Sequence, residues 1–253
     1  SRTSGEGSAA CAIVCENYII KNTFGKMRNF KALFFDIDGT LVSFNTHRIP
    51  DSTVQALRAA KQKGVMVFIS TGRPIHIINN LGQIDDLIDG YITTNGAYCF
   101  IGKEQVCMNA ISEDEVAVIM DACRQWDRPI VMSGKDEVAV FNYKQDVDDI
   151  FNKWLGVSCV DYSLPAERLL CKPILQMTPF ISPSQEEELM ALLPGCTSGR
   201  WTPLFTDITC SKADKGKGLA AMARHLGFDI HDTMAFGDGG NDTPILRAAG
   251  IGV

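Results

Sequence analysis

The stretch ALFFDIDGTLV, Ala32–Val42, sets the main problem of this sequence. Apolar side chains at Leu33–Phe35 predict a buried strand, and two carboxylates, Asp36 and Asp38, follow directly. Because alternate residues of a strand point to the same face, these carboxylates would share one side at the end of the strand. That arrangement is unfavourable unless a positive charge lies between them. The alternative is an acidic turn, since Asp-Gly is a common turn dipeptide, and this stretch alone does not decide between the two.

The bulk composition is that of an ordinary globular protein without a charge suited to polyanions. The chain has 253 residues, of which 45% are hydrophobic and 21% charged, enough for one large domain or two smaller ones. Its net charge of -6 gives no basic footprint for nucleic acid and disfavours binding to anionic membranes. No apolar run approaches the ~20 residues that cross a bilayer. We therefore expect a small-molecule partner, no nucleic-acid or membrane partner, and a monomer or small homo-oligomer.

The cysteine and histidine patterns argue against a disulfide scaffold and against a histidine-based metal site. The 9 cysteines are odd in number and lack metal-ligand spacing, and the 4 histidines are dispersed. Several cysteines lie in apolar stretches, where free thiols behave as small core residues. This usage is typical of a reducing compartment, so we expect the protein to be cytoplasmic.

Residues 1–26 differ in character from the rest of the chain. The apolar piece Ala9–Cys15 is at the short limit for the core of a signal peptide, and only Arg2 supplies positive charge before it. Met27 lies a few residues before the first strong strand. We expect Met27 to be close to the natural start and the leader 1–26 to be non-native or disordered.

Strands and helices alternate after the opening strand. Residues 51–64 predict a helix, and the apolar run VMVFIS, 65–70, predicts a strand that is buried on both faces. A short helix from Pro74 through Leu81 and the strand GYITTN, 90–95, are predicted next. Short connections between alternating elements predict an α/β fold with a doubly wound parallel sheet.

The pattern changes between residues 101 and 209. An amphipathic helix is followed by the paired strands 129–134 and 137–142, and further helices and strands come later. Strands that arrive in pairs predict an antiparallel sheet with helices on one face. We therefore predict an inserted α+β domain at 101–209 that divides a core domain of 27–100 and 210–253.

Polar side chains follow each predicted core strand, and a lysine opens the helix after the insertion. Ligands of open α/β sheets bind beyond the carboxyl ends of the strands, so we expect these residues to form one site. They are Asp36, Asp38 and Thr40, then Ser70, Thr71, Gly72 and Arg73, then Lys215 and Gly216, and finally Asp238, Asn241 and Asp242.

The chemistry of this set points to phosphoryl transfer. Several carboxylates at one edge cannot all stay ionised without a cation, and hard oxygen ligands select Mg²⁺. A hydroxyl, a lysine and backbone amides in glycine-bearing turns are the donors that phosphate oxygens require. Such a site acts mainly by positioning and by neutralising charge.

Four motifs in this order, DIDGT, STGR, the Lys215 region and GDGGND, resemble those of the haloacid dehalogenase (HAD) superfamily of phosphohydrolases. The resemblance extends from Met27 to Val253 and is to the Cof-like branch (subfamily IIB). It implies a Rossmann-like core with an inserted α+β cap of the C2 type. The stretches NGAYCF and GRWTPLFTDIT are similar to those of bacterial sugar-phosphate phosphatases within this branch.

The resemblance implies four catalytic roles. Asp36 would be the nucleophile that forms an aspartyl-phosphate, and Asp38 would be the general acid and then the general base. Thr71 would hydrogen-bond the transferring phosphoryl group, and Lys215 would neutralise charge on that group and on Asp36. Thr71 has a second interpretation, as the cap of the helix that begins at Pro74.

The choice of lysine rests on spacing. Lys212 and Lys217 are alternatives to Lys215. Lys215 is preferred because Gly216 and the apolar run that begins at Leu219 match the spacing of the family.

The resemblance also implies a metal site and substrate contacts. Mg²⁺ would be held by Asp36, the backbone carbonyl of Asp38, and Asp238. Two further residues, Asn241 and Asp242, would complete the coordination, and which of them binds the metal directly is left open. The substrate-binding residues are predicted to be Thr40, Gly72, Arg73 and Asn95. For Arg73 a surface ion pair, and for Asn95 a turn, are alternative interpretations.

The leading hypothesis is therefore a Mg²⁺-dependent phosphatase for small phosphorylated metabolites, with hexose phosphates foremost. A sugar phosphomutase that uses the same aspartyl-phosphate is an alternative within the superfamily. A non-catalytic protein that binds sugar phosphates is an alternative from another class.

Overall fold

The computed structural model describes residues 30–154 and 165–253, and the predicted leader 1–26 lies outside them. The chain divides into two compact units. Among the described residues, one unit comprises 30–72, Asn80–Cys107 and Asp214–Val253, and the other comprises Arg73–Asn79, 108–154 and 165–213. The core of the fold is thus made from separate pieces of the sequence.

The described strands number twelve and form two sheets. They are β1 (Ala32–Phe35), β2 (Met66–Ser70), β3 (Gly90–Thr93), β4 (Tyr98–Ile101), β5 (Glu104–Met108), β6 (Ile130–Gly134), β7 (Val138–Phe141), β8 (Ile174–Pro179), β9 (Cys196–Thr202), β10 (Phe205–Cys210), β11 (Thr233–Phe236) and β12 (Ile251–Gly252).

The α-helices connect these strands. They are α1 (Asp51–Gln62), α2 (Glu113–Gln125), α3 (Gln145–Asp148), α4 (Pro183–Met190), α5 (Lys215–Leu226) and α6 (Thr243–Ala248). A π-helical segment, Asp149–Trp154, continues α3. No α-helix among the described residues is both long enough and apolar enough to span a membrane.

The first unit contains a sheet of seven strands in the order β12-β11-β1-β2-β3-β4-β5. The strands from β12 to β3 are parallel, and β4 is antiparallel to β3. Phe34 stacks on Phe68 on one face of the sheet, with ring centroids 4.8 Å apart, and Phe35 stacks on Phe236 on the other, at 4.6 Å. Burial on both faces explains why β1 and β2 are continuous apolar runs. The predicted α/β fold with a parallel sheet is confirmed.

Strand register brings three chain segments to one edge of this sheet. Phe35 pairs with Ile69 of β2 and with Phe236 of β11. The backbone N–H of Asp36 donates to the carbonyl of Phe236 at 2.9 Å, which extends this pairing by one residue. The polar residues that follow β1, β2 and β11 therefore begin at the same level.

The second unit contains a five-stranded antiparallel sheet in the order β7-β6-β8-β10-β9. Residues of α2 and α4, including Ile119 and Leu189, pack with Ile130, Met177 and Ile208 in one hydrophobic cluster on a single face of this sheet. This is the separate α+β layer that the paired strands predicted.

The predicted helix from Pro74 through Leu81 is wrong. Only one 3₁₀ turn, Ile75–Ile77, forms there, and Pro74 before it is extended. Branched isoleucines have lower helix propensity, and Ile77 gains burial in a cluster with residues of β6 and β7. The segment 73–79 therefore belongs to the second unit. The rest of that unit lies within Met108–Ala213, whereas the insertion was predicted at 101–209.

Candidate active site

Lys215 is fully buried and opens α5. The side chain of Asp214, the N-cap of this helix, accepts a hydrogen bond from the backbone N–H of Lys217 at 2.7 Å. Lys215 Nζ donates to Asp36 Oδ1 at 2.7 Å and to Asp242 Oδ1 at 2.5 Å. A buried ammonium group is tolerated when it is paired in this way. The geometry distinguishes it from Lys217, whose side chain is 58% exposed and pairs with Asp214.

Asp242 is bonded through both of its carboxylate oxygens. Oδ1 accepts from Lys215, and Oδ2 accepts from the backbone N–H of Gly239 at 2.9 Å. The side chain is almost completely buried. Its position is therefore determined by two donors from different parts of the chain.

Asp238 is held by the segment that follows β1. The hydroxyl group of Thr40 donates to Asp238 Oδ1 at 2.7 Å. Gly39 has φ +89, and a Cβ atom there would lie 2.7 Å from both Asp238 Cγ and Phe44 Cε2. Glycine is thus required both by the left-handed backbone and by the close approach of two side chains.

Three carboxylates converge where these segments meet. Asp36, Asp238 and Asp242 each offer an oxygen, and these oxygens lie within 4.8 Å of one another. Lys215 balances only part of their negative charge, so a hard divalent cation fits the donor set. The side chain of Asp38, which is half-buried, is not one of these three.

The surroundings of Asp36 raise the pKa of its carboxyl group. The pKa of Asp36 is raised to about 6 from its ordinary 3.8 by all of its surroundings together, and burial of the carboxyl group is the largest cause. The ammonium group of Lys215 acts in the opposite direction, whereas the neighbouring charges of Asp242 and Asp38 raise the pKa further. A cation at the carboxylate cluster would add to the effect of Lys215 and favour the ionised form.

The segment that follows β2 is joined to the loop after β3. The buried Thr71 donates its backbone N–H to the carbonyl of Ile92 at 2.8 Å, and its own carbonyl accepts from the N–H of Asn95 at 3.1 Å. A Cβ on Gly72 would lie 3.1 Å from Asn95 Oδ1 and 3.4 Å from Asn241 Nδ2. The predicted residues Thr71, Gly72 and Asn95 are thus brought together.

Asn241 and Asn95 form a direct contact that sequence reasoning missed. Asn241 Nδ2 donates to Asn95 Oδ1 at 3.0 Å. Asn95 has φ 53, a left-handed conformation that asparagine tolerates better than most residues. The turn interpretation of Asn95 and its place beside the other polar residues are therefore compatible.

Arg73 is placed differently from the other predicted substrate residues. It lies in the segment that belongs to the second unit, and its Nη1 donates to the carbonyl of Ile77 at 3.3 Å. The hydroxyl group of Thr40, also predicted to bind substrate, donates its hydrogen bond to Asp238. Phe44 beside Gly39 was not predicted at all, because a single phenylalanine in a polar loop carries no pattern.

Comparison with known proteins identifies the family. The haloacid dehalogenase-like hydrolase family matches residues 33–253. The sugar phosphatase BT4131 of HAD subclass IIB is 47% identical and superposes with a TM-score of 0.81, over 88% of this chain and 86% of that one. BT1666, a phosphatase of the same superfamily from Bacteroides thetaiotaomicron, is 30% identical with a TM-score of 0.78, over 92% of this chain and 85% of that one. YkrA of Bacillus subtilis, which carries a provisional phosphatase name, is 29% identical over 88% of this chain and 85% of its own.

The chain belongs to the haloacid dehalogenase-like hydrolase family. It is a phosphatase of the Cof-like branch of that family. The sequence resemblance is thus confirmed at the level of family, fold and enzyme class.

Proposed function

We propose that the protein is a Mg²⁺-dependent phosphatase that hydrolyses small phosphorylated metabolites, hexose phosphates foremost, through an aspartyl-phosphate on Asp36. The observation that carries the proposal is the buried Lys215, which pairs with Asp36 inside a cluster of three carboxylates. The similarity to the sugar phosphatase BT4131 supports a sugar phosphate as substrate.

The position of Asp36 supports its proposed role as the nucleophile. Its second carboxylate oxygen, Oδ2, forms a bond to phosphorus while the bond from phosphorus to the leaving oxygen breaks. Lys215 holds the other oxygen at 2.7 Å, which fixes the direction of attack and neutralises charge. Asp242 accepts a hydrogen bond from the same ammonium group and keeps it in place.

Asp38 is the proposed acid and base. It lies two residues beyond the nucleophile, it is half-buried, and its carboxylate is outside the cluster of three. In the first step it gives its proton to the leaving oxygen. In the second step it takes a proton from the water that attacks the aspartyl-phosphate, which restores both aspartates and releases phosphate.

The proposed metal ligands are Asp36, Asp238 and the backbone carbonyl of Asp38, with Asn241 or Asp242 completing the set. A bound Mg²⁺ would offset the charge of the carboxylates and of the phosphoryl oxygens. Since both oxygens of Asp242 already accept hydrogen bonds, we assign that residue chiefly to positioning Lys215 and Gly239. Thr71, Gly72 and Asn95 are the proposed contacts to the phosphoryl group.

The test is phosphate release from a panel of sugar, nucleotide and cofactor monophosphates, measured with Mg²⁺ and with a chelator. We expect release that requires the metal and is fastest with hexose phosphates. The Asp36→Asn variant should lose turnover and should form no acid-precipitable phosphoenzyme. Release that continues in chelator, or turnover by Asp36→Asn, would overturn the proposal, and transfer of phosphate within the sugar without release would make the enzyme a mutase.

A further inference from the structure

Phe44 is the most exposed of the large apolar residues in the described ranges, at 64%. A phenyl ring in water forgoes roughly 2 kcal/mol that burial would provide. Single exposed apolar residues are common on protein surfaces, so exposure alone does not indicate a role. The position of this ring is what distinguishes it.

The ring lies beside the carboxylate cluster. The point where Gly39 would carry a Cβ is 2.7 Å from Phe44 Cε2 and 2.7 Å from Asp238 Cγ, so these two atoms are at most 5.4 Å apart. Asp238 is in turn one of the three carboxylates that converge with Asp36. The ring therefore stands at the rim of the proposed catalytic site with most of its surface open.

The loop that carries the ring is closed by its own hydrogen bonds. The backbone N–H of His47 donates to the carbonyl of Ser43 at 2.8 Å, and the N–H of Asn45 donates to Ser43 Oγ at 3.2 Å. The residues from Phe44 to Arg48 are all exposed. These bonds hold Phe44 against Gly39 without burying it in the core.

We propose that the Phe44 ring is a substrate-binding surface for the organic part of the phosphate ester, an inference that rests on the proposed function. A sugar ring has C–H faces that are apolar, and an aromatic ring offers a matching surface at low entropic cost. When such a ring covers Phe44, both apolar surfaces leave water, and the neighbouring carboxylates become less hydrated. The substrate class is a phosphate ester whose alcohol part contains a ring, such as a hexose 6-phosphate.

The test compares two substrates that differ in the group attached to phosphate. Hexose 6-phosphate has a ring, whereas acetyl phosphate has none. We expect Phe44→Ala to lower kcat/KM for the hexose phosphate about tenfold, mainly through KM, and to leave acetyl phosphate nearly unchanged. Phe44→Tyr keeps the ring and should behave like the wild type, and Leu192→Ala, at another exposed apolar residue (59%), is the control for surface truncation.

A binding measurement separates this inference from the proposed function. Titration calorimetry with hexose 6-phosphate is carried out on Asp36→Asn and on the double variant with Phe44→Ala. Binding about tenfold weaker in the double variant supports the inference whether or not the wild type hydrolyses the ester. Equal binding, or an equal loss of activity on both substrates, overturns it. A wild type that releases no phosphate from any ester overturns the proposed function instead.

Discussion

The hydroxyl group of Thr40 donates a 2.7 Å hydrogen bond to Asp238, although the two residues lie 198 positions apart in the chain. This bond orients a carboxylate that we propose binds Mg²⁺. Removing a group that orients a metal ligand typically weakens the site by about 10–100-fold. Thr40→Val should therefore raise the Mg²⁺ concentration needed for half-maximal activity by about tenfold.

Thr40→Ser is the matched control, because serine keeps the hydroxyl group. It should restore most of the Mg²⁺ affinity, measured by titration calorimetry as well as by activity. A Thr40→Val protein with unchanged affinity for Mg²⁺ would show that Asp238 does not depend on this bond.

Lys215→Met should destabilise the protein and abolish turnover. The substitution leaves Asp36 and Asp242 without the ammonium group that binds both of them. Removing one partner from a buried ionic group costs about 3–5 kcal/mol in free energy of unfolding. Urea denaturation in chelator measures this loss directly.

Lys217→Met removes an exposed ion pair from the same helix and serves as the comparison. Its side chain is 58% exposed and pairs with Asp214, so the cost should stay below about 1 kcal/mol. Equal effects of the two variants would contradict the assignment of Lys215 to the buried site.

Gly39→Ala tests the close approach of Asp238 and Phe44. The backbone there has φ +89, and a Cβ would meet both side chains. We expect a loss of about 2 kcal/mol or more in free energy of unfolding, together with weaker Mg²⁺ binding.

Gly64→Ala separates backbone strain from steric overlap. Gly64 has φ +79, but a Cβ on it meets nothing within 4 Å. It should therefore show only the cost of the left-handed conformation, about 1 kcal/mol, and normal Mg²⁺ binding. Identical losses in the two variants would mean that the contacts around Gly39 are relieved by side-chain movement.

The metal-free protein should become less stable as Asp36, the proposed nucleophile, ionises. The pKa of Asp36 in the folded state, about 6, lies above its ordinary 3.8, so the folded protein binds the extra proton between these values. The stabilisation from this proton is complete below pH 3.8 and is lost as the pH rises through 6.

The measurement is the free energy of unfolding of the wild type minus that of Asp36→Asn, in chelator, across this pH range. Asparagine does not titrate, so the difference isolates the carboxyl group. We expect the difference to fall with rising pH. A difference that is constant or rises would show that the pairing with Lys215 outweighs burial.

The sequence was sufficient for the parts of the fold that depend on continuous apolar runs. Strand β1 and strand β2 are buried on both faces, and their continuous apolar composition is typical of such strands in a parallel sheet. The carboxylates after β1 and β11 were located because parallel strands end at a common edge. The short segment after β2 was misjudged, since the burial of Ile77 in the second unit overrode its local pattern.

Side-chain pairing within the site was not accessible to sequence reasoning. The motif GDGGND does not reveal the partners of its last two residues. In the structure Asp242 binds Lys215, and Asn241 binds Asn95. Both depend on the conformation of loops that meet only in the folded chain. The exposure of Phe44 likewise depends on how its loop closes.

The division of the core into separate pieces has a consequence for synthesis. Asp36 cannot pair with Lys215, 179 residues later in the chain, until that lysine has been synthesised. Strand β1 likewise cannot pair with β11, its neighbour in the sheet, until β11 has been made. During translation the edge of β1 that β11 will cover is therefore open while the entire second unit is being made. A ribosome that stops before residue 242 therefore leaves a chain in which the cluster of Asp36, Asp238 and Asp242 cannot assemble.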